Sequence, residues 1–166
     1  LHRVDRRQRQ MCIRDSLLVC FLGGASFAEA TASNRHLKDI IEVEDTLDAY
    51  IGFPSCSAVF YATNAYNGNA PVLLELSCEN GTYRMEDNEL LCRSNDGTKE
   101  RIVFDKPDTL GKGYWGNGHL ACIRDFYDSL ETGSAVPIGI PQAADTVNLM
   151  LGIYESARTD QRIVLS

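Results

Sequence analysis

Several kinds of chemistry are missing from this sequence. None of its six cysteines forms a C-x-x-C pair, and none of its three histidines stands at zinc-finger spacing. That removes the common structural zinc sites. There is no G-x-G-x-x-G, no phosphate-binding loop and no internal repeat, so nothing signals a nucleotide bound within this chain. No Ser/His/Asp or Cys/His constellation follows from order or spacing. Basic charge is also scarce: 16 Lys and Arg face 23 Asp and Glu, for a net charge of −7. Phosphate binding needs a basic face, so no nucleic acid is expected as a partner. The longest apolar stretch, Ser16 to Phe27, is too short and too rich in Gly and Ser to span a bilayer, and no membrane partner is expected.

What is present describes an ordinary globular chain. Its 166 residues suffice for one domain with a real core. Apolar content is 44% and charged content 23%, both usual for that class. The cysteines are Cys12, Cys20, Cys56, Cys78, Cys92 and Cys122, most of them in apolar or strand-like runs such as SCSAVF and ELLCR. This predicts buried, reduced thiols. A disulfide framework in a secreted protein is the other reading.

The first thirty residues, LHRVDRRQRQMCIRDSLLVCFLGGASFAEA, carry a basic segment, an apolar run and an A-x-A-like end, the parts of a secretory signal. The apolar run is broken by Gly23 and Gly24, and the basic segment contains Asp5 and Asp15. RRQRQMCIRD, Arg6 to Asp15, is similar to the translation of a sequencing-library transposon adapter. Residues 1–16 are therefore expected to be an unstructured artefact, with the native chain beginning near Leu17.

Leu17 to Leu22, closed by Gly23-Gly24, reads as the end of a buried helix. Strand signals follow at Ser26 to Ser33, Asp45 to Phe53, Cys56 to Thr63 and Val72 to Cys78. In the second of these, Leu47, Ala49 and Ile51 alternate with Asp48 and Tyr50. Further strands are expected at Thr82 to Glu86, Glu89 to Arg93 and Thr98 to Phe104, joined by turns such as Asn95-Asp96-Gly97. Consecutive hairpins make a largely antiparallel sheet. The period then changes. Leu120, Ile123, Phe126, Tyr127 and Leu130 mark a helix over 117–131. Ala144, Val147, Leu151 and Tyr154 mark the expected inner face of a second helix, Gln142 to Arg158. Arg162 to Leu165 reads as a last strand. The expected fold class is α+β: an open, largely antiparallel sheet with helices packed on one face.

Two stretches carry a family resemblance. IEVEDTLDAYIGF…VFYATNAYNGNAPVLLELSCENGT (Ile41 to Thr82) and GHLACIRDFYDSLETGSAVPI…AADTVNLMLGIYESARTDQRIVL (Gly118 to Leu165) resemble the C-terminal domain of the Gfo/Idh/MocA oxidoreductases. The likeness covers residues 17–166 through the order and spacing of several motifs. LLVCFLG resembles the second half of the helix that joins the cofactor and sheet domains in that family. The resemblance implies residues 17–24 as the end of an interdomain helix and 25–166 as the sheet domain. It places a Rossmann domain, an NAD or NADP site, a catalytic Lys in an E-K-P motif and an Asp/His pair upstream of Leu17. This chain would then hold no catalytic and no cofactor-binding residue, and no cofactor would bind to it alone.

The candidate site residues lie in two loops. Asn64, Tyr66, Asn67 and Asn69 form a polar-aromatic segment whose amides can both donate to and accept from a polyol. Asn and Gly also simply build turns, and both readings stand. Tyr114 stands beside Trp115 in a Pro/Gly-rich loop, Lys106 to Gly118, of the kind that carries function, and His119 follows that loop at a helix start. His119 either hydrogen-bonds a sugar hydroxyl or is a surface residue at a helix start. Glu42, Glu44, Asp45 and Asp48 read as a charge cluster at a sheet edge rather than a metal site.

The expectation is the substrate-side and oligomerisation half of a cytoplasmic NAD(P)-dependent oxidoreductase acting on a sugar, inositol or related polyol, inactive alone. An uncovered sheet face implies a homo-oligomer. The alternative is a secreted carbohydrate-binding module with a genuine signal peptide. A regulatory or scaffold relic without chemistry is a third reading.

Overall fold

The structure, a computed structural model, describes residues 16–65, 72–86, 88–104, 118–136 and 139–165. In chain order the elements are helix α1 (16–22), strands β1 (Phe27–Ser33), β2 (Thr46–Gly52), β3 (Ser57–Thr63), β4 (Leu73–Cys78), β5 (Gly81–Glu86), β6 (Glu89–Ser94) and β7 (Lys99–Val103), helices α2 (Gly118–Thr132) and α3 (Ile140–Thr159), and strand β8 (Ile163–Val164). The class is α+β with every strand pair antiparallel. The strands divide between two sheets of four rather than forming one. The chain folds as two compact units: the described residues up to 65 with 139–165, and those from 72 to 136.

In the first unit, α1 ends where the sequence says it should. Gly23 has φ +82° and donates its N–H to the Val19 carbonyl at 2.9 Å, a left-handed helix end that glycine adopts without strain. The sheet runs β3-β2-β1-β8. Its register puts Ala28 opposite Ile51, Ala30 opposite Ala49, and Ala49 opposite Phe60. These side chains, with Leu47 and Ala62, form one buried face. Helix α3 packs against β1 on it, where short alanines let a helix approach closely.

The inner face of α3 differs from the expected one. Leu149 and Ile153, 1% and 2% exposed, enter the core, while Val147 and Leu151 face outward. Apolar residues occupy both sides of this helix, so its pattern alone does not choose between them.

Ser156 on α3 closes a gap in the sheet. β8 pairs only with Phe27 and Ala28, which leaves the next backbone donor of β1 without a strand partner. The buried Ser156 Oγ accepts the Ala30 N–H at 2.9 Å and donates to the Gln161 carbonyl at 2.6 Å. Ser156→Ala would orphan both groups and is expected to cost about 1–3 kcal/mol, read as a lower urea midpoint at unchanged m.

The opposite face of this sheet is open. Phe27 lies over Gly52, where a Cβ would sit 2.1 Å from the ring, so only glycine fits this cross-strand position without moving the ring. The Arg162 guanidinium stacks 4.1 Å from the Phe27 centroid and pairs with Glu29. Tyr50, Val59, Tyr61 and Val164 are exposed, Val59 to 84%.

In the second unit, β4 to β7 form a meander in sequence order. Leu74, Leu76, Tyr83, Met85, Leu90, Cys92 and Ile102 share one face by register. The other carries ion pairs of Arg84 with Glu75 and Glu86, and of Arg101 with Glu89. Such surface pairs contribute little each. At the β6–β7 turn, Asp96 Oδ1 accepts the Thr98 N–H at 2.8 Å, which is the turn chemistry the sequence advertises. The stripe Leu120, Ile123, Phe126, Tyr127 and Leu130 of α2 is exposed. The five described cysteines are free, but Cys20, Cys56, Cys78 and Cys122 are exposed and Cys92 is half-buried. This corrects the expectation of buried thiols: Cys20 and Cys122 lie on outward sides of α1 and α2, Cys56 precedes β3 and Cys78 ends β4, where no neighbour covers them. Among the described residues no helix is long and apolar enough to cross a membrane.

Candidate functional site

Polar groups gather at one end of the first sheet. Antiparallel pairing places the exit of β1, the entry of β2 and the exit of β3 side by side, with Ser33 opposite Thr46 and Thr46 opposite Thr63. Asn34, Asp45 and Asn64 therefore leave or enter the sheet together.

Asp45 organises this rim. It is 1% exposed, and its Oδ2 accepts the backbone N–H groups of His36 at 2.6 Å and Leu37 at 2.9 Å. Its own N–H donates to the Ser33 carbonyl. Burial works against the carboxylate. The N–H donors of Leu37 and His36, the Thr46 hydroxyl and the nearby His36 ring outweigh it and hold the Asp45 carboxyl below the usual aspartate range. The Asn34 amide donates to the Ile41 carbonyl at 2.8 Å, and Tyr154 of α3 donates to Glu44 at 2.6 Å. The long β1–β2 connection is thus fastened at its start, middle and end. Of the acidic cluster expected at a sheet edge, Glu42 and Asp48 are exposed, but Asp45 is a buried latch.

Of the predicted site residues, Asn64 is the one whose side chain is among the described residues. It follows β3, half-buried, and donates its N–H to the Asp45 carbonyl at 2.7 Å. Tyr66, Asn67, Asn69 and Tyr114 lie outside the described residues. His119 is the second residue of α2, and its side chain also lies outside them. Asp45, Thr46, Thr63 and Asn34 were not singled out for this rim by composition. The Asp-Thr pair at a strand entry is the one local signal for it.

A second feature is a groove of about 470 Å³ beside β1, reaching the open face and lined by Glu29, Thr31, Asp48, Tyr50, Val59 and Arg162 among others. Among the described residues no three His, Cys, Asp or Glu side chains converge as metal ligands. A dinucleotide cradle needs a parallel strand–glycine loop–helix unit. The described sheets are antiparallel throughout and contain no such unit.

No protein-family model and no curated protein matches the chain. Solved structures do. An oxidoreductase from Agrobacterium radiobacter in complex with NAD+, L-tartaric acid and magnesium aligns with TM-score 0.73 and 18% identity, over 90% of this chain and 46% of that one. Aldose-aldose oxidoreductase from Caulobacter crescentus complexed with glycerol aligns with TM-score 0.70 and 18% identity, over 90% and 45%. Levoglucosan dehydrogenase in complex with NADH and L-sorbose aligns with TM-score 0.78 and 15% identity, over 94% and 48%. The chain shares its fold with about half of each of these oxidoreductases. At such identities the likeness is one of fold.

Proposed function

We propose that this chain is the substrate-side half of an NAD(P)-dependent oxidoreductase acting on a sugar, inositol or related polyol in the cytoplasm. The observation that carries the reading is the fold likeness over at least 90% of the chain to half of several oxidoreductases whose structures contain NAD+ or NADH, or a polyol. Residues 17–24 would be the end of the helix that joins the two halves, and 25–166 the sheet domain. NAD(P) and the groups that move hydride and proton would belong to the other half, and this chain would line the sugar pocket through Asn64, Tyr66, Asn67, Asn69, Tyr114 and His119. The secreted binding-module reading calls for paired cysteines, and the five described ones are free.

The test uses two proteins. The ¹⁵N-labelled chain, titrated with myo-inositol and D-glucose, should show saturable shifts at the Asn64 side-chain amide and no NAD(P)H formation. A longer protein, recovered by extending the reading frame upstream of Leu17, should reduce NAD(P)+ with one of these polyols. A genomic frame that continues through RRQRQMCIRDS to a start codon, with no dinucleotide-binding domain, would remove the proposal.

The open face of the first sheet is proposed as a self-association surface, since Tyr50, Val59, Tyr61 and Val164 expose apolar area next to the Arg162–Glu29 pair. Val59→Arg places a charge in its middle. It is expected to weaken self-association at least tenfold in sedimentation equilibrium while leaving the melt unchanged. An unchanged dissociation constant would place the interface elsewhere.

A further inference from the structure

We infer that Thr63 and Asp45 are positioning residues for Asn64, fixing the backbone from which its amide meets a polyol hydroxyl. The inference rests on the reading of Asn64 as a polyol contact.

The hydrogen bonds at the β3 exit converge on two atoms. The Asp45 carbonyl oxygen accepts both the Asn64 N–H at 2.7 Å and the Thr63 hydroxyl at 3.3 Å. Thr63 Oγ1 in turn accepts the Ala65 N–H at 3.1 Å and lies 3.0 Å from Thr46 Oγ1. A hydroxyl has one proton and two acceptor sites. Thr63 gives its one proton either to the Asp45 carbonyl or to Thr46, and in both cases it accepts the Ala65 N–H. Asp45 is held from its other end as well, by the His36 and Leu37 N–H groups on its carboxylate. The connection 34–45, the entry of β2 and the exit of β3 are tied into one knot around Asp45.

The backbone donors just past the β3 exit are the N–H groups of Asn64 and Ala65. Here both are committed inward, while Asn64 itself stays half-exposed. The backbone is anchored and the residue remains reachable, which is the arrangement that presents an amide at a fixed angle. Such preorganisation spares a ligand the cost of ordering the loop.

The discriminating pair is Thr63→Val and Thr63→Ser. Valine keeps the shape and strand preference of threonine but can neither donate nor accept; serine keeps the hydroxyl. With myo-inositol as the probe, observed at the Asn64 side-chain amide, Thr63→Val should weaken binding about tenfold and speed exchange of the Ala65 N–H by a similar factor. Core amides and the melting temperature should stay close to the parent. Thr63→Ser should restore the affinity to within about twofold. A structural role alone would move the melt and leave binding by the folded fraction unchanged. If Thr63→Val fails to fold, Thr63→Ala removes the same hydroxyl without the branched side chain and carries the same comparison. Unchanged inositol affinity in the valine variant, with faster Ala65 exchange, overturns the positioning role and spares the polyol reading. No polyol response in the parent chain overturns that reading and the positioning role with it.

Discussion

Leu149→Ala should destabilise the first unit by about 2–5 kcal/mol, whereas Leu151→Ala, two residues along the same helix, should change stability by less than about 1 kcal/mol. Leu149 is 1% exposed against the sheet and Leu151 is 58% exposed. Removing the Leu149 side chain loses its transfer free energy and leaves a cavity that a strand of alanines cannot fill by rearranging. The alanines of β1 have no side-chain freedom with which to follow a retreating neighbour. Urea unfolding of the two variants measures both effects. Equal losses, or a larger loss at Leu151, would mean that α3 turns its other face to the sheet.

Asp45→Asn should lower the melting temperature at pH 7 by about 5–10 °C, and that deficit should depend on pH. The amide keeps one carbonyl oxygen for His36 and Leu37 but loses the charge that strengthens both bonds, and it brings an NH₂ into a buried position without a built acceptor. The sign follows from the lowered carboxyl. A carboxylate whose folded-state pKa lies below its unfolded value, about 3.9, stabilises fully above that value. This stabilisation is lost as pH falls through the folded-state pKa. The difference in melting temperature between parent and variant should thus shrink as pH falls below about 3.9. A difference independent of pH down to 2 would show that the ionised form of Asp45 contributes nothing particular to the fold.

The legible parts of this protein were those set by neighbours in sequence. Each strand over 26–104 appears within a residue or two of its expected bounds, because alternation and turn chemistry act over a few residues. Gly23 ends α1 and Asp96 closes its turn for reasons that need no partner far along the chain. The α3 face was not legible, because Val147 and Leu151 compete with Leu149 and Ile153 on hydrophobicity alone. The cysteines misled for a related reason: an apolar context says a residue prefers burial, and only the packing supplies a neighbour to bury it.

The site divides in the same way. The proposal of Asn64 as a polyol contact comes from the composition of its loop. The atoms that hold Asn64 are eighteen and nineteen residues back, at Thr46 and Asp45, and no local pattern ties them to it. Sequence by itself determined the strands, their hairpin order, the helix ends and hence the α+β class, since these follow from backbone preferences and short-range periodicity. Only the tertiary structure decided the division into two sheets, the side of α3 that faces the core, the use of Ser156 to complete the β1 edge, and the burial of Asp45 among acidic neighbours. Those outcomes depend on which groups meet across long loops, and hydrogen-bond satisfaction and close packing are settled only when they do.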